Sequence, residues 1–203
     1  MYHTIYLTIA VVPYYFNPNI HNLGNIGFGG KIHATLCPIA TKLIDKICYN
    51  NIDIRNDIIK DYKEYSILDM CCGVGTSTKE YATGIDTSPE MINMAKLFNK
   101  KSNFEIANAE NYKPSQSYDV VSCMFAFHEM PLDAQLKVIN NAINIADKEV
   151  IIVDISTNYN PKEIMLTGEP YLLDYLTNID SVLSNFDKIN YIDNHVNIWK
   201  LIK

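Results

Sequence analysis

Ile67-Leu68-Asp69-Met70-Cys71-Cys72-Gly73-Val74-Gly75 is the stretch on which the fold turns. A short apolar run of strand character carries one acid and leads into a turn with two glycines. Glycine lets a backbone approach a ligand closely, and a helix start presents unpaired N–H groups. Such a turn suits a nucleotide-like group. The next acid at a strand end, Asp86, follows Gly73 by 13 positions (86 − 73). A dinucleotide-binding turn has a third glycine, where this chain has Thr78, and an acid about 20 residues further on. Both spacings go against a nicotinamide dinucleotide.

Working outward, short apolar runs alternate with amphipathic segments from Ser66 onward, the pattern of a parallel sheet covered by helices. Thr76–Tyr81 is expected as the helix after the turn, and Thr83–Asp86 as a second strand. Ser88 reads as an N-cap, Pro89 as the first helical residue and Glu90 as a first-turn acid, with Met91, Met94, Ala95 and Phe98 on the buried face. Asn103–Ala107 and Tyr118–Phe125 are the third and fourth strands. Pro131 opens a helix striped by Leu132, Leu136, Ile139, Ile143 and Ala146. Glu149–Ile155 is a fifth strand. The tail reads as a helix over Tyr171–Leu183 and an antiparallel hairpin of Lys188–Asp193 and Val196–Ile202 at the sheet edge. Before the sheet, Leu36, Ile39, Ala40, Leu43, Ile44 and Ile47 share one helical face, and Ile54–Tyr62 reads as a second, short helix.

Four segments in order resemble the class I S-adenosylmethionine-dependent methyltransferases, over Ser66 to Ile155. Ile67 to Thr76 resembles their first motif, and its Cys-Cys-Gly form is similar to the quinone-biosynthesis group. Gly84-Ile85-Asp86-Thr87-Ser88-Pro89-Glu90-Met91 resembles the second motif. Asn108-Ala109-Glu110-Asn111 stands where the family commonly has Asp-Ala-Glu. Tyr118-Asp119-Val120-Val121 through His128-Glu129-Met130-Pro131 resembles the fourth strand and its exit loop. The resemblance implies a Rossmann-like α/β fold: a mostly parallel seven-stranded sheet with an antiparallel C-terminal hairpin strand and helices on both faces. It also implies S-adenosyl-L-methionine as cofactor.

On that resemblance the cofactor is held by Asp69, Cys71, Gly73, Gly75, Asp86, Thr87, Met91, Asn108, Ala109 and Met124. Asp86 has two acceptor oxygens for a vicinal diol. Asp69 orients the methionine amino group or else tethers the turn. Asn108 keeps a carbonyl for the adenine amine. Met91 either lines the adenine or is core. Cys71 and Cys72 act as small fillers. Methyl transfer from a sulfonium is an in-line displacement, so alignment and water exclusion are the main demands. His128 is the candidate base and Glu129 its orienting partner; alternatively this His-Glu step caps a helix or packs beneath the substrate. Tyr14, Tyr15, Phe16, His21 and Gly24–Gly30 form either a lid or a dimer contact. Gly168-Glu169-Pro170-Tyr171 with Tyr175 is the candidate opposite wall. Phe125-Ala126-Phe127-His128 stands in place of an Asn-Pro-Pro-Tyr step, which goes against base-amine or glutamine-amide methylation.

Composition sets the outer limits. The chain has 203 residues, 17 Lys+Arg against 23 Asp+Glu, hence a net charge of −6, and 48% hydrophobic residues. This is expected for a single globular domain, divided into a cap over 1–63, a cofactor core over 64–155 and a substrate-side segment over 156–203. At this size roughly 70% of the unfolded surface is buried, so no metal or disulfide staple is needed. The acidic balance argues against a nucleic-acid partner. Five cysteines without ligand spacing read as free thiols in a reducing compartment, with no metal site. The Ile5–Val12 apolar run is short of the roughly 20 residues that span a bilayer. The expectation is a cytoplasmic enzyme, monomer or homodimer, acting on a small-molecule acceptor. Methylation of RNA or protein, or a cofactor-binding regulatory module, are the alternatives.

Overall fold

The computed structural model describes residues 20–203; Tyr14, Tyr15 and Phe16 lie outside them. Strands β1 (Ile67–Met70), β2 (Thr83–Asp86), β3 (Asn103–Ile106), β4 (Tyr118–Met124), β5 (Ala146–Ile155), β6 (Asp187–Ile192) and β7 (Val196–Ile202) form one seven-stranded sheet. Its order is β3-β2-β1-β4-β5-β7-β6. The first five strands are parallel to one another, and β7 runs antiparallel to both β5 and β6. The hairpin forms one edge of the sheet, as expected, with β7 against β5 and β6 outermost. This suits their patterns, because Val196, Ile198 and Trp199 are buried whereas most of β6 is exposed.

Period-two alternation sorts the side chains of the central strands onto two faces. Leu68, Met70, Val121, Cys123, Val150 and Ile152 pack toward α4 (Leu132–Ile145) and α6 (Leu172–Val182). Ile67, Val120, Met124, Ile151 and Val153 pack toward α2 (Ile54–Ile59). The remaining helices are α1 (Gly27–Cys48), α3 (Pro89–Phe98) and the single turn α5 (Glu163–Leu166). No helix among the described residues is long and apolar enough to cross a membrane.

Four local expectations are corrected. Thr76–Tyr81 is not a helix. Ser77 and Thr78 instead turn inward and donate to Asp69 Oδ2 at 2.7 and 2.6 Å, and Lys79 Nζ donates to Tyr62 O at 2.6 Å. Side-chain bonds of this kind compete with the helical ladder. Residues Lys79–Ala82 then border a hollow of about 270 Å³ with Lys63, Tyr65 and Ile67.

Helix α1 does gather its large apolar residues on one side, but that side faces outward: Leu36, Ile39, Leu43, Ile44 and Ile47 are exposed, Ile47 at 76%. Its inner side is narrow, with Gly30 and Ala34 buried, and Ala34 packs on Met91 and Val74.

Helix α4 is rotated in the same sense. Leu132 and Leu136 are exposed, whereas Ala134, Gln135, Val138, Ile139, Ala142 and Ile145 are buried. Gln135 Nε2 donates to the carbonyls of Phe127 and Met130, at 3.0 Å each, which satisfies a buried amide donor and fixes that rotation.

In α3 the cap is as expected, Ser88 Oγ accepting from Met91 N at 3.1 Å. Its buried residues are Met91, Ile92 and Ala95, and Phe98 is exposed. In α1, Gly30 and Ala34 on the inner face let the helix approach its neighbours more closely than its large residues would.

Candidate active site

The order of the sheet reverses between β1 and β4, and ligands of open α/β sheets bind outside the carboxyl ends of the strands at such a point. Both strand exits are bent there. Cys71 follows β1 with φ 57° and Phe125 follows β4 with φ 56°, left-handed conformations that non-glycine residues seldom adopt. Gly73, at φ 52°, faces open space. Gly75, at φ 77°, serves packing: a Cβ there would stand 2.8 Å from the Phe104 ring.

Between these exits lies a cavity of about 90 Å³. Cys71, Asp86, Thr87, Ala109 and Glu129 line it, and Ile20 and Asn25 come from the segment preceding α1. That segment is tied down at three points. Ser88 Oγ donates to Asn25 O, Gly27 N donates to Glu90 Oε1 at 2.9 Å, and His21 N donates to Gly168 O at 2.8 Å. Of the expected lid or dimer-contact segment, Asn25 borders the cavity.

Asp86 ends β2 half-buried, accepting from Gly73 N at 2.9 Å and Ser88 N at 2.8 Å, one bond to each oxygen. Burial pushes its carboxyl up to about 6, against the pull of those two N–H groups. Asn108 Oδ1 accepts from Glu110 N at 2.9 Å, bending the chain after β3 so that Ala107 and Ala109 border the cavity.

Several expected cofactor residues stand away from the cavity. Asp69 is fully buried, and besides Ser77 and Thr78 it accepts from Ser122 Oγ at 3.2 Å, bonds that join β1, the turn and β4. Met91 packs with Ala34 and Val74, and Met124 belongs to the core on the α2 side. Burial pushes the Cys72 thiol well above its ordinary value, which removes it as a nucleophile.

At the other end of the cavity a polar cluster stands above β4 and β5. His128, in a 3-10 turn over Phe127–Glu129, is buried and places Nδ1 2.6 Å from Asp154 Oδ1. Asp154, 0% exposed at the end of β5, also accepts from the backbone N–H groups of Phe127, His128 and Ile155. His21 Nε2 lies 3.2 Å from Glu129 Oε1 and 3.0 Å from Glu169 Oε1. Its Nδ1 is 2.9 Å from His33 Nε2. Burial works against charge on His128, but Asp154 and then Glu129 and Glu169 outweigh it and raise the ring to about 9. His21, opposed likewise by burial, is raised to about 11 by Glu129 and Glu169.

Sequence reasoning missed His33 and Asp154, and saw Glu169 only as part of a wall. A lone acid in Ile151-Ile152-Val153-Asp154-Ile155 was the available signal. Tyr175 is structural, its hydroxyl donating to Ile155 O at 2.6 Å. Tyr171 is half-buried and precedes α6.

The switch point, the acid ending β2 and the cavity between the strand exits are set in an open, mostly parallel α/β sheet that known proteins share. Residues 67–148 match the methyltransferase-domain family. The fold is similar to that of magnesium protoporphyrin IX methyltransferase from Synechocystis, at 16% identity and TM-score 0.54 over 92% of this chain and 91% of that one. It is similar to a plantazolicin methyltransferase at 17% identity and TM-score 0.57, over 85% and 95% of the two chains. A third similar structure is an S-adenosylmethionine-dependent methyltransferase from Aquifex aeolicus, at 17% identity and TM-score 0.54 over 73% and 88%. No curated protein matches the sequence. The family match is confined to residues 67–148, and the chain as a whole shares the fold of these methyltransferases.

Proposed function

We propose that this domain transfers a methyl group from S-adenosylmethionine to a small-molecule acceptor. The observation that carries the reading is Asp86, a half-buried carboxylate at the end of β2 that lines the switch-point cavity. Two structural neighbours, a magnesium protoporphyrin IX methyltransferase and a plantazolicin methyltransferase, are consistent with a small acceptor.

The residues present fit the cofactor on one condition. Asp86 offers ionised oxygens to a diol, and Thr87, Ala107 and Ala109 give an apolar wall. The cavity of about 90 Å³ is well below the roughly 300–1,000 Å³ of ligand pockets, so the roof of Ile20 and Asn25 must lift for binding. When bound, the cofactor supplies an electrophilic methyl on a sulfonium. The chain then has to align the acceptor, exclude water with the 20–26 segment, and receive a proton where the acceptor carries one. Within the polar cluster, Glu129 reaches the cavity wall, while His128 Nε2 looks toward Glu129 and Glu169. We therefore place the proton-accepting face at Glu129, which His21 Nε2 approaches at 3.2 Å, with His128 behind it rather than acting as the base.

Calorimetric titration with S-adenosylhomocysteine tests the reading. Saturable binding is expected, and Asp86→Ala should weaken it roughly a hundredfold, the loss of two charge-assisted hydrogen bonds. A folded wild-type chain that binds neither S-adenosylhomocysteine nor S-adenosylmethionine would refute it.

A further inference from the structure

We propose that His21, His128, Glu129 and Glu169 form a site for one divalent transition-metal ion of the zinc, manganese or iron(II) class. Ligand atoms of His21, His128 and Glu129 all lie within 4.8 Å of one another. Glu169 joins them, Oε1 at 3.0 Å from His21 Nε2 and Oε2 at 3.9 Å from His128 Nε2. Two further pairs are 3.2 Å for His21 Nε2 to Glu129 Oε1 and 4.0 Å for His128 Nε2 to Glu129 Oε1. A tetrahedral ion with bonds of about 2.0–2.1 Å keeps its ligand atoms about 3.3 Å apart. These four separations bracket that value.

Hydrogen bonding alone leaves this cluster incomplete. A protonated His21 satisfies Glu129 Oε1 and Glu169 Oε1. It leaves Glu169 Oε2 with no hydrogen-bond partner among the described residues, on a residue only 9% exposed. It also leaves His128 Nε2 beyond hydrogen-bond distance of both carboxylates. A buried polar atom without a partner is costly, and one cation at the centre satisfies both atoms together.

The outer nitrogens are already arranged for metal binding. Asp154 accepts from His128 Nδ1, which leaves Nε2 with the lone pair. Gly24 O and Asn25 Oδ1 can only accept, so His33 Nδ1 carries hydrogen and His33 Nε2 accepts from His21 Nδ1. That again leaves Nε2 of His21 turned into the cluster. Metal-bound histidines characteristically hold their second nitrogen in this way. Two imidazoles with two carboxylates suit zinc, manganese or iron(II); hard-cation sites for calcium and magnesium are built from oxygen. Glu129 borders the cofactor cavity, so on the methyl-transfer reading the ion would hold an acceptor oxygen and lower its pKa.

The test uses the full chain, stripped of metal with a chelator and titrated with Co²⁺ and Zn²⁺. One equivalent should bind, and Co²⁺ should give visible d–d bands without a thiolate charge-transfer band. Glu169→Gln and His21→Asn should each weaken binding about tenfold or more, whereas His195→Asn, an imidazole outside the cluster, should not. Circular dichroism of each variant separates loss of ligand from loss of fold. No saturable binding by the wild type overturns the proposal, as does binding that both cluster variants leave unchanged. S-adenosylhomocysteine titrated in parallel keeps the two readings apart. A chain that binds it but no metal overturns the metal site alone, and one that binds metal but not S-adenosylhomocysteine overturns the cofactor reading alone.

Discussion

The two ends of the cavity are built in opposite ways. At the Asp86 end, the groups that meet are close in sequence: Cys71, Gly73, Asp86, Thr87 and Ser88 belong to one β1–turn–β2–α3 passage, joined by the Gly73 N and Ser88 N bonds to a single carboxylate. At the histidine end, His21, His33, His128, Glu129, Asp154 and Glu169 arrive from the segment before α1, from α1, from the exits of β4 and β5, and from the approach to α6. The first end is a motif. The second is an assembly, and its parts acquire chemical meaning only against one another.

Removing the centre of the assembly should produce the largest effect. Asp154 accepts four hydrogen bonds in the interior. Asp154→Asn leaves one acceptor oxygen and an uncompensated His128, which should cost about 3–5 kcal/mol in urea denaturation. Its effect on S-adenosylhomocysteine affinity should be much smaller, since Asp154 does not reach the cavity. A variant that loses affinity but not stability would show that the two ends are not separate.

The Asp86 end should respond to pH instead. Its carboxyl, raised by burial to about 6, must be ionised to accept from a diol. Affinity for S-adenosylhomocysteine should therefore be flat at higher pH and fall as pH drops through about 6, roughly tenfold at one unit below, as only a tenth of the carboxyl stays ionised. Calorimetry between about pH 8 and about pH 5 reads this directly; affinity unchanged over that range would mean that Asp86 carries no charge essential to binding.

The smallest effect falls on the joint between motif and roof. Ser88 caps α3 and also holds Asn25 O. Ser88→Ala should lower stability by about 1 kcal/mol, the usual cost of an N-cap, read as a shift in thermal midpoint.

How far the sequence could be read follows the same division. The β1 to β5 progression, the Ser88-Pro89 helix start and the hairpin were legible because each depends on neighbours a few residues away. The orientations of α1 and α4 were not. Large apolar residues at helical spacing mark a face, but Gly30, Ala34, Ala134 and Ala142 decided which side approached its partner, and Gln135 found carbonyls that only the fold supplies. The absent helix at Thr76–Tyr81 has the same origin: Ser77 and Thr78 read as helix residues until Asp69 lies buried beside them.

By itself, the sequence determined the parallel sheet, the turn after β1, the acid at the end of β2 and therefore the class of fold, since backbone pattern and short-range spacing carry those. The tertiary structure alone decided that Asp69 ties the turn together, that Ile20 and Asn25 roof the cavity, and that two histidines and two glutamates face one another above β4 and β5. Local spacing cannot encode such meetings, because charges separated by up to about 150 positions become neighbours only once the core has placed their strand ends side by side.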